Sequence, residues 1–182
     1  MSSVQPSSVN ARTTFATAVE SFVAAFAGCG LAPKVPTPCY GLAEATLPVT
    51  APPLGEGMVA HHFSRSALAL GRAEPLPGST PDTVRLVSCG VPRPGVSLRI
   101  VDPRERRVLP AGAVGEIWVR GPNVADGYWG RPERSAEVFT GRLVPTEAAA
   151  ADPATAADPA AVGLLGCGGI SDAVRPLVVY WS

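Results

Sequence analysis

The chain has 182 residues, 46% of them hydrophobic and 16% charged, which is enough for a globular domain with a real core. Formal net charge is zero, so no broad attraction to nucleic acid or to an anionic membrane is expected. Fourteen Arg and a single Lys, Lys34, carry the positive charge.

The first residues are polar and predict a disordered start over 1–11, without the apolar segment of a secretory leader. Phe15, Val19, Phe22 and Phe26 then recur at helical spacing and predict a helix over 12–27. Asn10 or Thr13 would cap it, Gly28 or Gly30 would end it, and its phenylalanine stripe would pack in the core. Pro33, Pro36 and Pro38 carry the chain extended into Cys39-Tyr40-Gly41, and residues 45–50 read as a short strand. Residues 51–85 are rich in proline and glycine with no sustained period, a long excursion broken only by a short helix near 64–70.

Regular pattern resumes at Leu86. Val96, Leu98 and Ile100 alternate with other residues as a half-buried strand does. Residues 102–107 form a charged turn. Residues 114–120 alternate again, with Ile117 and Val119 on one face and Glu116, Trp118 and Arg120 on the other. The two strands predict an antiparallel hairpin with a connection longer than two residues. Gly127-Tyr128-Trp129-Gly130 reads as a bend, Trp118 and Trp129 as packing residues, and Asn123 and Asp126 as turn formers. Pro132 suits the first turn of a helix running to Phe139.

After Phe139 the character changes. Half of residues 146–163 are Ala, and Ala-Asp-Pro-Ala occurs twice. Residues 140–182 are therefore expected to be a low-complexity, disordered tail. Its most apolar stretch, 163–181, is interrupted by Asp172, Arg175 and Pro176, whereas a membrane span needs about 20 mostly apolar residues. A cytoplasmic location is the expectation. Cys29, Cys39, Cys89 and Cys167 show no Cys-x-x-Cys spacing, and His61-His62 stands far from them in sequence, so ordinary thiols are expected.

Three segments, in order, resemble the adenylate-forming superfamily and within it the fatty acyl-AMP ligases. They are Tyr40-Gly41-Leu42-Ala43-Glu44-Ala45-Thr46-Leu47, then Leu86-Val87-Ser88-Cys89-Gly90-Val91-Pro92 running on to Asp102-Pro103, then Val114-Gly115-Glu116-Ile117-Trp118-Val119-Arg120-Gly121 closing with Gly127-Tyr128-Trp129. The resemblance spans about residues 15–139. It implies an α/β fold: a fragment of the N-terminal domain of an adenylate-forming enzyme, with mixed strands, an antiparallel β-hairpin region and a disordered tail. Residues 12–139 would be the partial AMP-binding domain, and 51–85 a subfamily insertion that restrains thioester formation with CoA.

The implied chemistry is attack of a fatty acid carboxylate on the α-phosphorus of ATP, giving an acyl-adenylate and pyrophosphate. The acyl group then passes to an acyl carrier protein. Both reactants are anionic, so cationic side chains, backbone donors and a magnesium ion must offset the charge. By resemblance, Tyr40 stacks on adenine, Gly41, Leu42 and Ala43 complete the ATP-facing stretch, and Glu44 offers a carboxylate oxygen to Mg2+.

Other parts of the family pattern do not match. No Ser/Thr/Gly-rich phosphate loop occurs, and Ser7-Ser8-Val9-Asn10 stands where a Gly-Ala-Glu-Pro segment belongs. The Thr-Gly-Asp motif expected soon after Phe139 is absent; Asp152 and Asp158 have the wrong context, and Lys34 does not correspond to the catalytic lysine. The expectation is a chain inactive by itself, its ends reflecting a frame change or truncation. A subunit of a split ligase, a non-enzymatic interaction module and an acyl-CoA ligase-like member remain alternatives.

Overall fold

The computed structural model describes residues 8–144 and 165–166. The chain divides into two compact units, Met1–Cys39 with Ala51–Gly90, and Tyr40–Thr50 with Val91–Ser182. No helix among the described residues is long and apolar enough to cross a membrane.

In the first unit, helix α1 (Ser8–Phe26) starts earlier than the sequence predicts, so Asn10 and Thr13 lie inside it. Residues 1–7 of the expected disordered start lie outside the described residues. A 3₁₀ turn, Ala27–Cys29, ends the helix at Gly30, whose φ of 84° is the left-handed conformation glycine adopts freely. Helix α1 packs along β4 (Thr83–Val87). Two members of the phenylalanine stripe, Phe22 and Phe26, do not pack in the core. Ala16 is buried and Glu20 pairs with Arg85 at 2.6 Å, while Phe22 and Phe26 meet each other with rings tilted at 41° and stay 54% and 46% exposed.

The excursion at 51–85 contains more order than its composition suggests. Strand β3 (Ala60–Ser64) pairs antiparallel with β4, from Ala60 opposite Val87 to Ser64 opposite Thr83. Helix α2 (Arg65–Ala69) follows directly, capped by Ser64, whose Oγ accepts from the Ala67 N–H at 3.0 Å. Phe63, Ala67, Ala73, Val84 and Leu86 are the buried apolar residues here.

The second unit holds two sheets. Strands β1 (Tyr40–Leu42), β2 (Leu47–Ala51) and β5 (Val91–Pro92) make one, in the order β1-β2-β5. The expected strand at 45–50 thus begins at Leu47, because Ala43–Ala45 form a 3₁₀ turn. The other sheet runs β7-β6-β8-β9, from β6 (Ser97–Asp102), β7 (Arg107–Val108), β8 (Glu116–Arg120) and β9 (Leu165–Gly166). Strands β6 and β8 pair antiparallel, Leu98 opposite Val119 and Ile100 opposite Ile117, as the alternation predicts. The charged turn between β6 and β7 is closed by Asp102 Oδ1, which accepts from the Arg104 and Glu105 N–H groups at 2.8 and 3.0 Å. Of the expected disordered tail, residues 145–164 and 167–182 lie outside the described residues.

Strand alternation sorts the core. Leu98, Ile117 and Val119 face one way and pack with Ala45, Val49 and the end of helix α3 (Pro132–Phe139), through Val138 and Phe139. Trp118 faces the other way, against Val101. Helix α3 has the bounds predicted for it, with Pro132 in its first turn where a missing N–H costs nothing.

Candidate functional site

Five of the residues singled out in the sequence, Tyr40 to Glu44, occupy β1 and the turn after it. Strand β1 pairs with β2 in a hairpin whose register is irregular between Tyr40 and Gly41. Gly41 is required locally: a Cβ there would run into the Leu47 carbonyl. Its close approach is therefore to the opposite strand of its own hairpin. The turn brings Thr46 and Leu47 to φ values of 53° and 72°, conformations unusual for residues with a Cβ. Tyr40 and Leu42 are half-buried against the unit's core, whereas Gly41 and Ala43 are exposed.

The turn is fastened from outside the hairpin. The Ala125 N–H donates to the Glu44 carbonyl at 2.8 Å. Asn123 Nδ2 donates to the Ala45 carbonyl at 2.7 Å, and Thr46 Oγ1 donates to the Asn123 carbonyl at 2.7 Å. Asn123 is therefore a clamp on this turn as well as part of its own loop, a role its identity as a turn former does not convey. Tyr128 reaches the same place. Its hydroxyl donates to Glu44 Oε1. Its ring stands edge-on to Phe139, with centroids 5.2 Å apart and planes at 74°.

Glu44 is only 9% exposed, so its carboxylate needs polar partners to be tolerated there. Tyr128 supplies one to Oε1, and no described residue hydrogen-bonds Oε2. No cluster of three or more His, Cys, Asp or Glu side chains occurs among the described residues. This donor set fits magnesium. A single hard carboxylate oxygen suits an ion that keeps several waters and binds chiefly through substrate phosphates, and it does not suit zinc.

Other signature residues fall differently. Trp118 is buried as expected, its indole N–H donating to Glu116 Oε2 at 2.7 Å. Trp129 does not pack: it is fully exposed, because the bend that turns Tyr128 inward leaves its neighbour outside. Sequence reasoning missed Tyr128 and Asn123 as partners of the motif. They stand 84 residues from Glu44 and 78 from Ala45, and no local pattern reports contacts at that distance.

A family model described as AMP-binding enzyme matches residues 11–129. The chain is 42% identical over 139 residues to the long-chain-fatty-acid–AMP ligase FadD26 of Mycobacterium tuberculosis, an alignment covering 76% of this chain and 22% of the relative. Among solved structures it resembles the fatty acid AMP ligase of Legionella pneumophila, with a TM-score of 0.66 and 34% identity over 70% of this chain and 22% of that one. The fatty acyl-adenylate ligase of L. pneumophila in complex with acyl adenylate and pyrophosphate matches with a TM-score of 0.64 and 34% identity, over 69% of this chain and 22% of that one. The chain thus spans about a fifth of the length of the proteins it matches.

Proposed function

Since the chain belongs to the AMP-binding enzyme family, we propose that it carries the ATP- and magnesium-facing wall of a fatty acid–AMP ligase. The parent reaction joins a fatty acid to AMP and releases pyrophosphate, and the acyl group is then handed to an acyl carrier protein. The observation that carries this reading is the fastened β1–β2 turn, which holds a nearly buried Glu44 carboxylate with one oxygen unclaimed by any described residue.

In this reading Tyr40 offers its ring to adenine, Gly41, Leu42 and Ala43 line the nucleotide, and Glu44 is the magnesium ligand. Magnesium would offset the negative charge of the phosphates as the carboxylate approaches. The chain's own contribution is placement: the turn is pinned before any ligand arrives, so little ordering is left to do on binding. The phosphate loop, ribose aspartate and catalytic lysine of the family pattern are not among these 182 residues. The chain alone therefore binds Mg2+–ATP weakly and does not turn over. A cytoplasmic location accords with this substrate set.

Titration calorimetry of ATP into the chain, with Mg2+ and with EDTA, tests the assignment. Binding that requires Mg2+ and disappears in Glu44→Ala is expected. Equal binding by both proteins would remove Glu44 from the site.

A further inference from the structure

Helix α3 and the bend before it do more than cover the core. Tyr128 is held from backbone to hydroxyl: its N–H donates to Ser135 Oγ at 2.8 Å, its carbonyl accepts from the Arg131 N–H at 3.1 Å, its ring lies edge-on to Phe139, and its hydroxyl donates to Glu44 Oε1. A phenylalanine would meet the packing requirement equally well, so the hydroxyl answers a different need. That need is the carboxylate. A glutamate side chain has several rotors, and a nearly buried one with a single fixed oxygen loses most of its alternative orientations.

We propose that Tyr128 is a positioning residue for the adenylation site: by holding Oε1 of Glu44 it leaves Oε2 as the oxygen offered to the magnesium ion that accompanies ATP. The proposal rests on the reading of Glu44 as the magnesium ligand. It assigns a duty to a residue that the sequence places in a bend and in the third family-like segment without any chemical role. Groups that orient a metal-binding side chain typically change metal affinity by about 10–100-fold when removed.

The test uses the whole 182-residue chain with Mn2+–ATP as probe, read by water-proton relaxation, for the wild type, Glu44→Gln and Tyr128→Phe. A second readout is the 13Cζ resonance of labelled Tyr128, which reports the hydrogen bond made by its oxygen. Expected results are loss of binding in Glu44→Gln and binding weakened about 10-fold or more in Tyr128→Phe, whose thermal midpoint falls modestly because the nearly buried Glu44 Oε1 loses its donor. The Tyr128 resonance should also move in Glu44→Gln and on addition of Mg2+–ATP to the wild type. Wild-type affinity in Tyr128→Phe, together with loss in Glu44→Gln, would overturn the positioning role and leave the Glu44 reading standing. Wild-type affinity in Glu44→Gln, or no binding by the wild type, would overturn that reading and the role of Tyr128 with it.

Discussion

Thr46 Oγ1 donates to the carbonyl oxygen of Asn123 at 2.7 Å, across 77 residues of chain. The Asn123 side chain answers through Nδ2 to the Ala45 carbonyl. The two bonds close the β1–β2 turn onto the loop after β8. Asn123→Ala should destabilise the chain by about 1–3 kcal/mol, because it strands a carbonyl beside the buried core. Urea unfolding measures this, and a variant as stable as wild type would mean the clamp contributes nothing.

Leu47 holds a φ of 72° with its side chain 67% exposed. A left-handed conformation costs a residue with a Cβ about 1–2 kcal/mol, and glycine avoids that at some expense in unfolded-chain entropy. Leu47→Gly should therefore raise stability by about 0.5–1 kcal/mol. A lower unfolding midpoint would show that the leucine side chain matters more than its backbone.

The two tryptophans of the third motif should behave oppositely. Trp118 is 4% exposed, and Trp118→Ala should cost about 3–5 kcal/mol. Trp129 is 101% exposed, and Trp129→Ala should stay within about 0.5 kcal/mol of wild type. Unfolding curves of the two variants compare them directly.

In the first unit, the Asp82 carboxylate accepts from Ser64 Oγ at 2.6 Å and from Ser66 Oγ at 2.9 Å. The Ser64 bond, then that from Ser66, holds its pKa below the usual aspartate value. A lowered folded pKa gives stability that is complete above the unfolded value, about 3.9, and lost as pH falls through the folded value. Unfolding midpoints should therefore drop below about pH 4, and Asp82→Asn should flatten that part of the profile. An unchanged profile would remove Asp82 from the acid response.

What could be read from sequence follows a physical rule. The β6–β8 pairing was legible because one face is buried and the other less so, which writes a period of two into Leu98, Ile100, Ile117 and Val119. Helix α3 was legible because Pro132 marks a first turn. The β1–β2 hairpin was not, because its turn places Thr46 and Leu47 where glycine or asparagine usually signals the reversal. Strand β3 was hidden by Ala60-His61-His62, which lack strand character, and by the prolines around it. The Phe22–Phe26 stripe misled because helical spacing identifies a face without saying what covers it. The family motif singled out Glu44 as a candidate, but Tyr128 and Asn123 became its turn's partners only once the chain was folded.

The most direct test replaces the matching segment of M. tuberculosis FadD26 with residues 11–129 of this chain. Fatty-acid-dependent exchange of pyrophosphate into ATP is then measured with and without Glu44→Ala. Exchange by the chimera is expected, reduced about 10²–10³-fold by Glu44→Ala, the usual effect of losing one charge-stabilising group. A folded chimera that exchanges equally well without the Glu44 carboxylate would contradict this expectation.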